Sequence, residues 1–427
     1  MKKIFLFEKL NIFTLIISFF LKIFLKKVYY RELSLIFKND FYINIFKKMD
    51  ILWLGFQSFD NKYSNQSFNI RRKLELNLVN KYIEKNFFFN CFVKKHNPNI
   101  EKFKLCLIGE FAGNYSESLS ISLIEKCFSL KKSIIYYFPF QISSYLLIKN
   151  YHKNLKVFSI CIIVITFLDI FKKVFNKLNI LLFKRIFNWK KKKTVISDTK
   201  YNYQDFEVAY FPHKSLRYGK SYSKTLIFSD VPTSKFFKSK VLNILKEPMD
   251  SFSLKYFKFY KIPHVNIGSL YSNFKVKKMQ YLLESFQILK FFKKFSLHEF
   301  FLSYCIVKII YSIEKNLNLF ERLKKLRIIY CDYDVLFPKP ILLACDIKNI
   351  KTISNQERYL LNYLLPPLFY NYYLTVGKQF EEDFKKKGYI VDEYFSIGTL
   401  RTSKDVSLKK IKLNKEILRL KNKNKKI

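Results

Sequence analysis

LRIIYCD (Leu326–Asp332), DYDVLFPKP (Asp332–Pro340), ILLACDIKNI (Ile341–Ile350) and KTISNQE (Lys351–Glu357) run consecutively, and their reading decides the fold. The first is a short apolar, β-branched run that predicts a strand. It stops in a polar turn, and Pro338 and Pro340 then introduce a helix. KTISNQE returns as a second strand. Farther on, YYLTVG (Tyr372–Gly377) precedes the amphipathic KQFEEDFKKKG, and YIVDEYFSIG (Tyr389–Gly398) follows as another strand. Strands alternating with helices of about ten residues indicate parallel βαβ units. In such sheets ligands bind beyond the carboxyl ends of the strands. Those ends carry Asp332 and Asp334, then Gln356, Glu357 and Arg358, then Gly377, then Gly398.

Working outward, the first 135 residues repeat the alternation. KKIFLFE, VYYREL, DILWLGF (Asp50–Phe56) and SIIYYF (Ser133–Phe138) read as strands. LCLIGEFAG (Leu105–Gly113) fits either a strand and turn or the start of a helix. Residues 141–190 read as helical, and 194–263 as short β-like runs punctuated by Pro and Gly. Residues 275–325 read as a pair of helices. A chain of 427 residues is long enough for two domains, each with its own core.

The charge is +45, from 78 Lys and Arg against 33 Asp and Glu. A surplus of this size attracts polyanions: anionic lipid, phosphorylated substrates or nucleic acid. The basic residues are spread along the chain, and no nucleic-acid module organises them, so nucleic acid is the weakest of these partners. The seven cysteines form no CxxC pair, and the five histidines show no ligand spacing, so no protein-bound metal is expected. Neither GxGxxG nor GxxxxGK[ST] occurs, which leaves dinucleotide cofactors and P-loop chemistry without support; no cofactor is expected.

Two apolar stretches bear on membranes. Asn11–Leu25 lacks a small-residue cleavage site and contains Lys22, so it reads as a buried helix between strands rather than a leader or a span. Val157–Leu168 is uncharged and rimmed by lysines, which fits an interfacial helix or a core helix with solvated ends. Residues 404–427 form a basic tail with ten Lys or Arg. Attachment to an anionic membrane surface through 153–193 and this tail is one expectation.

Three groups of residues are suited to chemistry. Asp332 and Asp334, with Lys339, lie where a helix amino terminus offers N–H groups to a phosphate, and the aspartates also fit simple caps. Gln356, Glu357 and Arg358 combine donors, an acid and a fixed cation; Arg358 suits bidentate grip of phosphate, although Glu357 and Arg358 also suit each other. His213 follows a β-like run among Lys214, Arg217 and Tyr218, where cations favour a neutral ring able to act as a base. A structural, hydrogen-bonded histidine fits the same place.

YDVLFPKPILLACDIKNIKTISNQERYLL, YYLTVGKQFEEDFKKKGY and FSIGTLRTSKD, together with FPHKSLRYGKSY, resemble bacterial surface-carbohydrate biosynthesis proteins with a glycosyltransferase-B-like fold. The resemblance covers roughly residues 205–235 and 325–405. It implies an α/β chain with two Rossmann-like domains facing a cleft, and a nucleotide-activated sugar as donor. It also implies a lipid-linked or polysaccharide acceptor at the inner face of the membrane, reached from the cytoplasm. By match, Asp334, Lys339, Gln356, Glu357, Arg358, Gly377, Gly398 and Arg401 occupy recurrent positions of the family. On this reading the first domain spans 1–270 with a helical insertion at 141–190. The second spans 271–405 and looks truncated after two or three βα units; the tail is 406–427. The expected activity is glycosyl transfer, with His213 as catalytic base. A non-catalytic binding or scaffold protein descended from such an enzyme is the alternative.

Overall fold

A computed structural model describes residues 2–24, 26–33, 37–54, 76–80, 83–111, 132–149, 152–164, 205–211, 240–245, 261–267, 297–331, 338–356, 368–386 and 388–397. Its architecture is α/β, with two sheets in which every strand pair is parallel.

The first half runs β1 (Lys2–Leu10), α1 (Ile12–Ile23), β2 (Lys27–Leu33), α2 (Asp40–Lys48), β3 (Ile51–Trp53), α3 (Phe87–His96), α4 (Ile100–Phe111), β4 (Ser133–Phe138), α5 (Ile142–Ile148) and β5 (Leu155–Val157). Its sheet has the order β3-β2-β1-β4-β5. The order reverses between β1 and β4, as in a doubly wound fold. Local chemistry sets the boundaries. Asn11 caps α1 by accepting from Thr14 N–H at 2.8 Å, and Thr14 returns the bond to Asn11 N–H at 2.7 Å. Asn86 caps α3, which ends on Asn97 in the left-handed region with φ 43°.

The second half runs β6 (Val208–Phe211), β7 (Val241–Leu245), β8 (His264–Asn266), α6 (Leu297–Arg322), β9 (Ile328–Cys331), α7 (Lys339–Ile347), β10 (Lys351–Asn355), β11 (Phe369–Thr375), α8 (Gln379–Lys386) and β12 (Ile390–Ser396). Its sheet has the order β12-β11-β10-β9-β6-β7-β8 and reverses between β6 and β9. VLNIL of β7 is buried at all five positions, as expected of a parallel strand covered on both faces.

Three expectations change. The boundary at 270/271 divides β6, β7 and β8 from the sheet to which they hydrogen-bond, so the change of sheet falls between β5 and β6. With those strands included, the second sheet has seven strands and is the larger of the two; it is not truncated after two or three units. The segment read as a helical insertion contains β5, paired with β4. The β-like runs expected in 194–263 include β6 and β7, but strands of three to five residues, far apart in the chain, carry no local sign of the sheet they join.

Between the sheets lies a helical layer. α3, α4 and α5 of the first half pack on α6 and α7 of the second, in one core that includes Leu6, Phe103, Ile309, Leu343 and Tyr373. Polar clasps cross this layer: Asn86 Nδ2 donates to Ser303 Oγ at 2.9 Å, Lys95 Nζ to Glu314 Oε1 at 2.7 Å, and Lys102 pairs with Asp346. The opposite face of the first sheet carries a separate core of Phe7, Val28, Tyr30, Phe46, Ile51 and Cys161 beneath α1 and α2.

α1 is not the buried helix the sequence suggests. Thr14 and Ser18 are its buried residues, whereas Ile12, Ile16, Phe19, Phe20 and Ile23 are between 52% and 59% exposed.

Candidate functional site

The carboxyl edge of the second sheet is where βα connections must place ligand contacts. At its reversal point β6 and β9 end side by side, with Phe211 in register with Cys331. The connections that follow hold His213 after β6 and Asp332 and Asp334 after β9. These three lie outside the described residues, as do Glu357, Arg358, Gly398 and Arg401. Lys339, Gln356 and Gly377 are described.

Around the ends of β9, β10 and β11 a polar network is fixed in place. Tyr330 Oη donates to Asn355 Oδ1 at 2.9 Å, and Ser354 Oγ donates to the Cys331 carbonyl at 2.7 Å. Gln356 extends the ladder, its N–H donating to the Leu374 carbonyl at 2.8 Å. Its side chain bends back so that Oε1 accepts from Val376 N–H at 3.1 Å. That bond decides which end of the amide is which, because a backbone N–H must meet the oxygen. Nε2 is therefore held in a known direction. Gln356 is 7% exposed, and this NH₂ group has no hydrogen-bond partner. A buried donor left unsatisfied costs about 1–3 kcal/mol, which makes this amide the least satisfied polar group of the network. Gly377 follows in the bend before α8; its carbonyl accepts from Phe380 N–H at 3.1 Å. A Cβ there would meet only the Gln379 side chain at ordinary contact distance, so no close approach demands glycine at this point.

Lys339 lies elsewhere. It is the first residue of α7, after Pro338, and it is buried in the layer between the sheets. Its side chain crosses α4 at Gly109.

The first sheet has its own reversal point, and there a residue that sequence reading missed is prominent. Glu8, near the end of β1, is 2% exposed. Its carboxylate accepts from the N–H groups of Phe140 and Gln141, the latter at 3.3 Å, and from Ser144 Oγ at 2.6 Å. The pairs Phe7–Tyr30 and Lys9–Glu32 bracket it, so Glu8 sits beside Arg31 on the neighbouring strand. Burial pushes the Glu8 carboxyl above its usual range, and the Arg31 charge and the three hydrogen bonds oppose that rise. The N–H groups ahead of α5 are thus already satisfied by the protein's own carboxylate. An acid within the apolar run KKIFLFE, level with an arginine in VYYREL, was the available signal.

The two sheet edges differ in kind: the first is filled from within, and the second holds a buried donor in reserve. Among the described residues no cluster of three or more His, Cys, Asp or Glu is placed to hold a metal ion. Compared with protein-family models, curated proteins and solved structures, the chain matches none.

Proposed function

We propose that the protein is a glycosyltransferase-like transferase of surface-carbohydrate biosynthesis that binds a nucleotide-activated sugar at the carboxyl edge of its second sheet. The observation that carries the reading is the buried Gln356 Nε2 at the ends of β10 and β11, an oriented donor with no partner. Phosphate, ribose and sugar oxygens are all acceptors for it. The resemblance of the segments around it supplies the sugar chemistry, and the all-parallel, doubly wound order of both sheets is compatible with it. In this reading Arg358 and the start of α7 steady the departing phosphate, and His213 takes the acceptor proton. On this reading the anionic donor binds to the second half, a choice supported by the filled edge at Glu8, and the acceptor binds to the first half across a cleft of the glycosyltransferase-B kind. The transferase works from the cytoplasm at the inner face of the membrane.

A non-catalytic descendant that binds the same donor is the second reading, favoured by a polar network of Tyr330, Ser354, Asn355 and Gln356 that includes no histidine or carboxylate. Thermal denaturation with a panel of nucleotides and nucleotide sugars tests donor binding, and single-turnover assays with the stabilising donor separate the two. No stabilisation by any member of the panel overturns both; stabilisation without turnover leaves the binding protein.

A further inference from the structure

α1 turns its large apolar side chains away from the protein. Ile12, Ile16, Phe19, Phe20 and Ile23 recur at the spacing of one helix face, and Phe24 at the carboxyl end is 68% exposed. The inward side is closed by Phe13, Ile17 and Leu21 and by Thr14 and Ser18, with Ser18 Oγ donating to the Thr14 carbonyl at 2.7 Å. Six exposed apolar side chains along about 18 Å of helix form a continuous stripe, which soluble surfaces rarely carry without a partner. Ile160 and Ile163, both close to half exposed, flank Cys161, which is buried in the same core layer.

Topology places a second feature beside the stripe. In a parallel sheet the helix returns to the amino edge before the next strand begins. Lys2 and Lys3 open β1, Lys27 opens β2, and Lys47 and Lys48 close α2, so these five exposed lysines gather at the edge where α1 ends. Asp50 is the nearby acid, and Lys22 already holds it at 2.8 Å. A second copy of the chain would bring the same lysines against these, and with a net charge of +45 that contact is repelled. A surface that is both apolar and negatively charged in its rim is matched.

We propose that the outer face of α1 and the lysine arc beside it form a docking surface for an anionic lipid bilayer, with the helix lying in the plane of the interface. No helix among the described residues is long and apolar enough to cross a membrane, and α1 in this arrangement need not. The apolar stripe enters the boundary between headgroups and acyl chains, and the lysines meet the headgroups. The proposal stands independently of what the second sheet binds.

Vesicle flotation of the full chain tests it, using equal parts phosphatidylglycerol and phosphatidylcholine, and phosphatidylcholine alone, at low and high salt. The wild-type chain is expected to float with the anionic vesicles at low salt. The triple variant Ile16→Ser, Phe19→Ser, Phe20→Ser, checked for an unchanged thermal transition, is expected to lose more than about tenfold in partitioning at both salts. The variant Lys2→Gln, Lys3→Gln, Lys47→Gln, Lys48→Gln is expected to lose binding at low salt and to match the wild type at high salt, where screening removes its contribution. No flotation of the wild-type chain with anionic vesicles overturns the proposal. So does a folded triple variant that floats as before, or one that changes from oligomer to monomer with vesicle binding intact.

Discussion

The side chain of Lys339 lies across the backbone of Gly109, where a Cβ would stand 3.0 Å from its Cδ and 3.2 Å from its Nζ. One residue opens α7 and the other sits near the end of α4, so the contact joins the two halves of the chain. Glycine inside a helix costs about 1 kcal/mol relative to alanine, and the close approach of a buried lysine is the compensation. Gly109→Val adds branched atoms where the buried Lys339 side chain stands, so the lysine must shift, and a loss of about 2 kcal/mol in denaturant stability is expected. Adding Lys339→Ala to that variant is expected to cost less than the two single changes together. Strict additivity in the double-mutant cycle would show that the two residues do not share the space.

That contact also explains one limit of the sequence. LCLIGEFAG is equally readable as strand-and-turn or helix because a glycine after an apolar run looks like a stop. Only the packing of Lys339, some 230 positions later, gives the glycine a helical purpose. Elements that carry their own pattern were legible: β1, β2 and β4 as apolar β-branched runs, and α8 as an amphipathic octamer opened by Glu381 and Glu382 and closed by Lys385 and Lys386. HVN of β8 is a strand only because Asn243 to Leu245 pair with it, which no local signal reveals. α1 is apolar nearly all round, so its composition could not say which face is outward. Gln356 stands out because three polar residues in a row end its strand, whereas Glu8 beside Lys9 has the composition of a solvated strand end.

A second clasp between the halves is electrostatic. Glu314 on α6 accepts from Lys95 at 2.7 Å and faces His96 Nε2 at 2.8 Å, both on α3. Burial alone would raise its carboxyl, but the bonds and charges of Lys95 and His96 prevail and hold it below the usual range. A carboxyl lowered on folding contributes stability above its unfolded value, and that contribution fades as pH falls through the folded one. Glu314→Gln is therefore expected to lose about 2 kcal/mol at neutral pH. Its deficit should close in acid. Urea titrations from neutral to acidic pH check this, and a deficit that stays constant in acid would exclude the ion-pair account.

Glu8 has the opposite sign. Burial raises its carboxyl in the folded chain, against the Arg31 charge and its hydrogen bonds. The folded state thus holds the proton more tightly than the unfolded one, so its share of stability is complete below the ordinary carboxyl range and is lost as pH rises through the raised value. Relative to Glu8→Gln, whose amide oxygen still accepts from Phe140 and Gln141, the wild-type chain should gain stability as the medium is acidified. Arg31 keeps Glu32 as a partner at 2.8 Å in that variant. Paired thermal melts across the acidic range report the difference, and parallel curves would mean that Glu8 is not buried as a carboxyl against α5.

Thiol chemistry separates exposed from buried cysteines. Cys91 on α3 is exposed, whereas Cys161 is buried with its thiol pushed up to about 12 by burial and by the Glu8 charge. Cys345 is likewise raised well above its ordinary value by burial, with Cys331 and Asp346 adding to it. The thiolate is the reactive form, so iodoacetamide near pH 8 should label Cys91 first and Cys161 and Cys345 about a hundredfold more slowly. Mass spectrometry of peptides from timed quenches gives the ranking. Labelling of Cys161 at the Cys91 rate would remove it from the core beneath α1.

The candidate site makes the most specific demand. Gln356 holds its orientation through Oε1, which accepts from Val376 N–H, and in the proposed function its Nε2 donates to the ligand. Gln356→Glu preserves the acceptor and the shape but buries an unpaired carboxylate oxygen, so the unliganded chain should lose stability at neutral pH and recover it as the carboxyl is protonated in acid. It replaces two donors with a carboxylate oxygen, which a phosphate or sugar oxygen cannot accept from. For a nucleotide sugar that stabilises the wild-type chain, the affinity is expected to fall tenfold to a hundredfold, about 1.4–3 kcal/mol. Gln356→Leu separates the two functions, because it removes the acceptor as well and leaves Val376 N–H without its partner. That variant should lose affinity and keep a stability deficit at every pH, whereas the deficit of the glutamate variant should close in acid. Calorimetric titration beside a thermal melt distinguishes them. Full affinity in a well-folded Gln356→Glu chain would move the ligand away from the ends of β10 and β11.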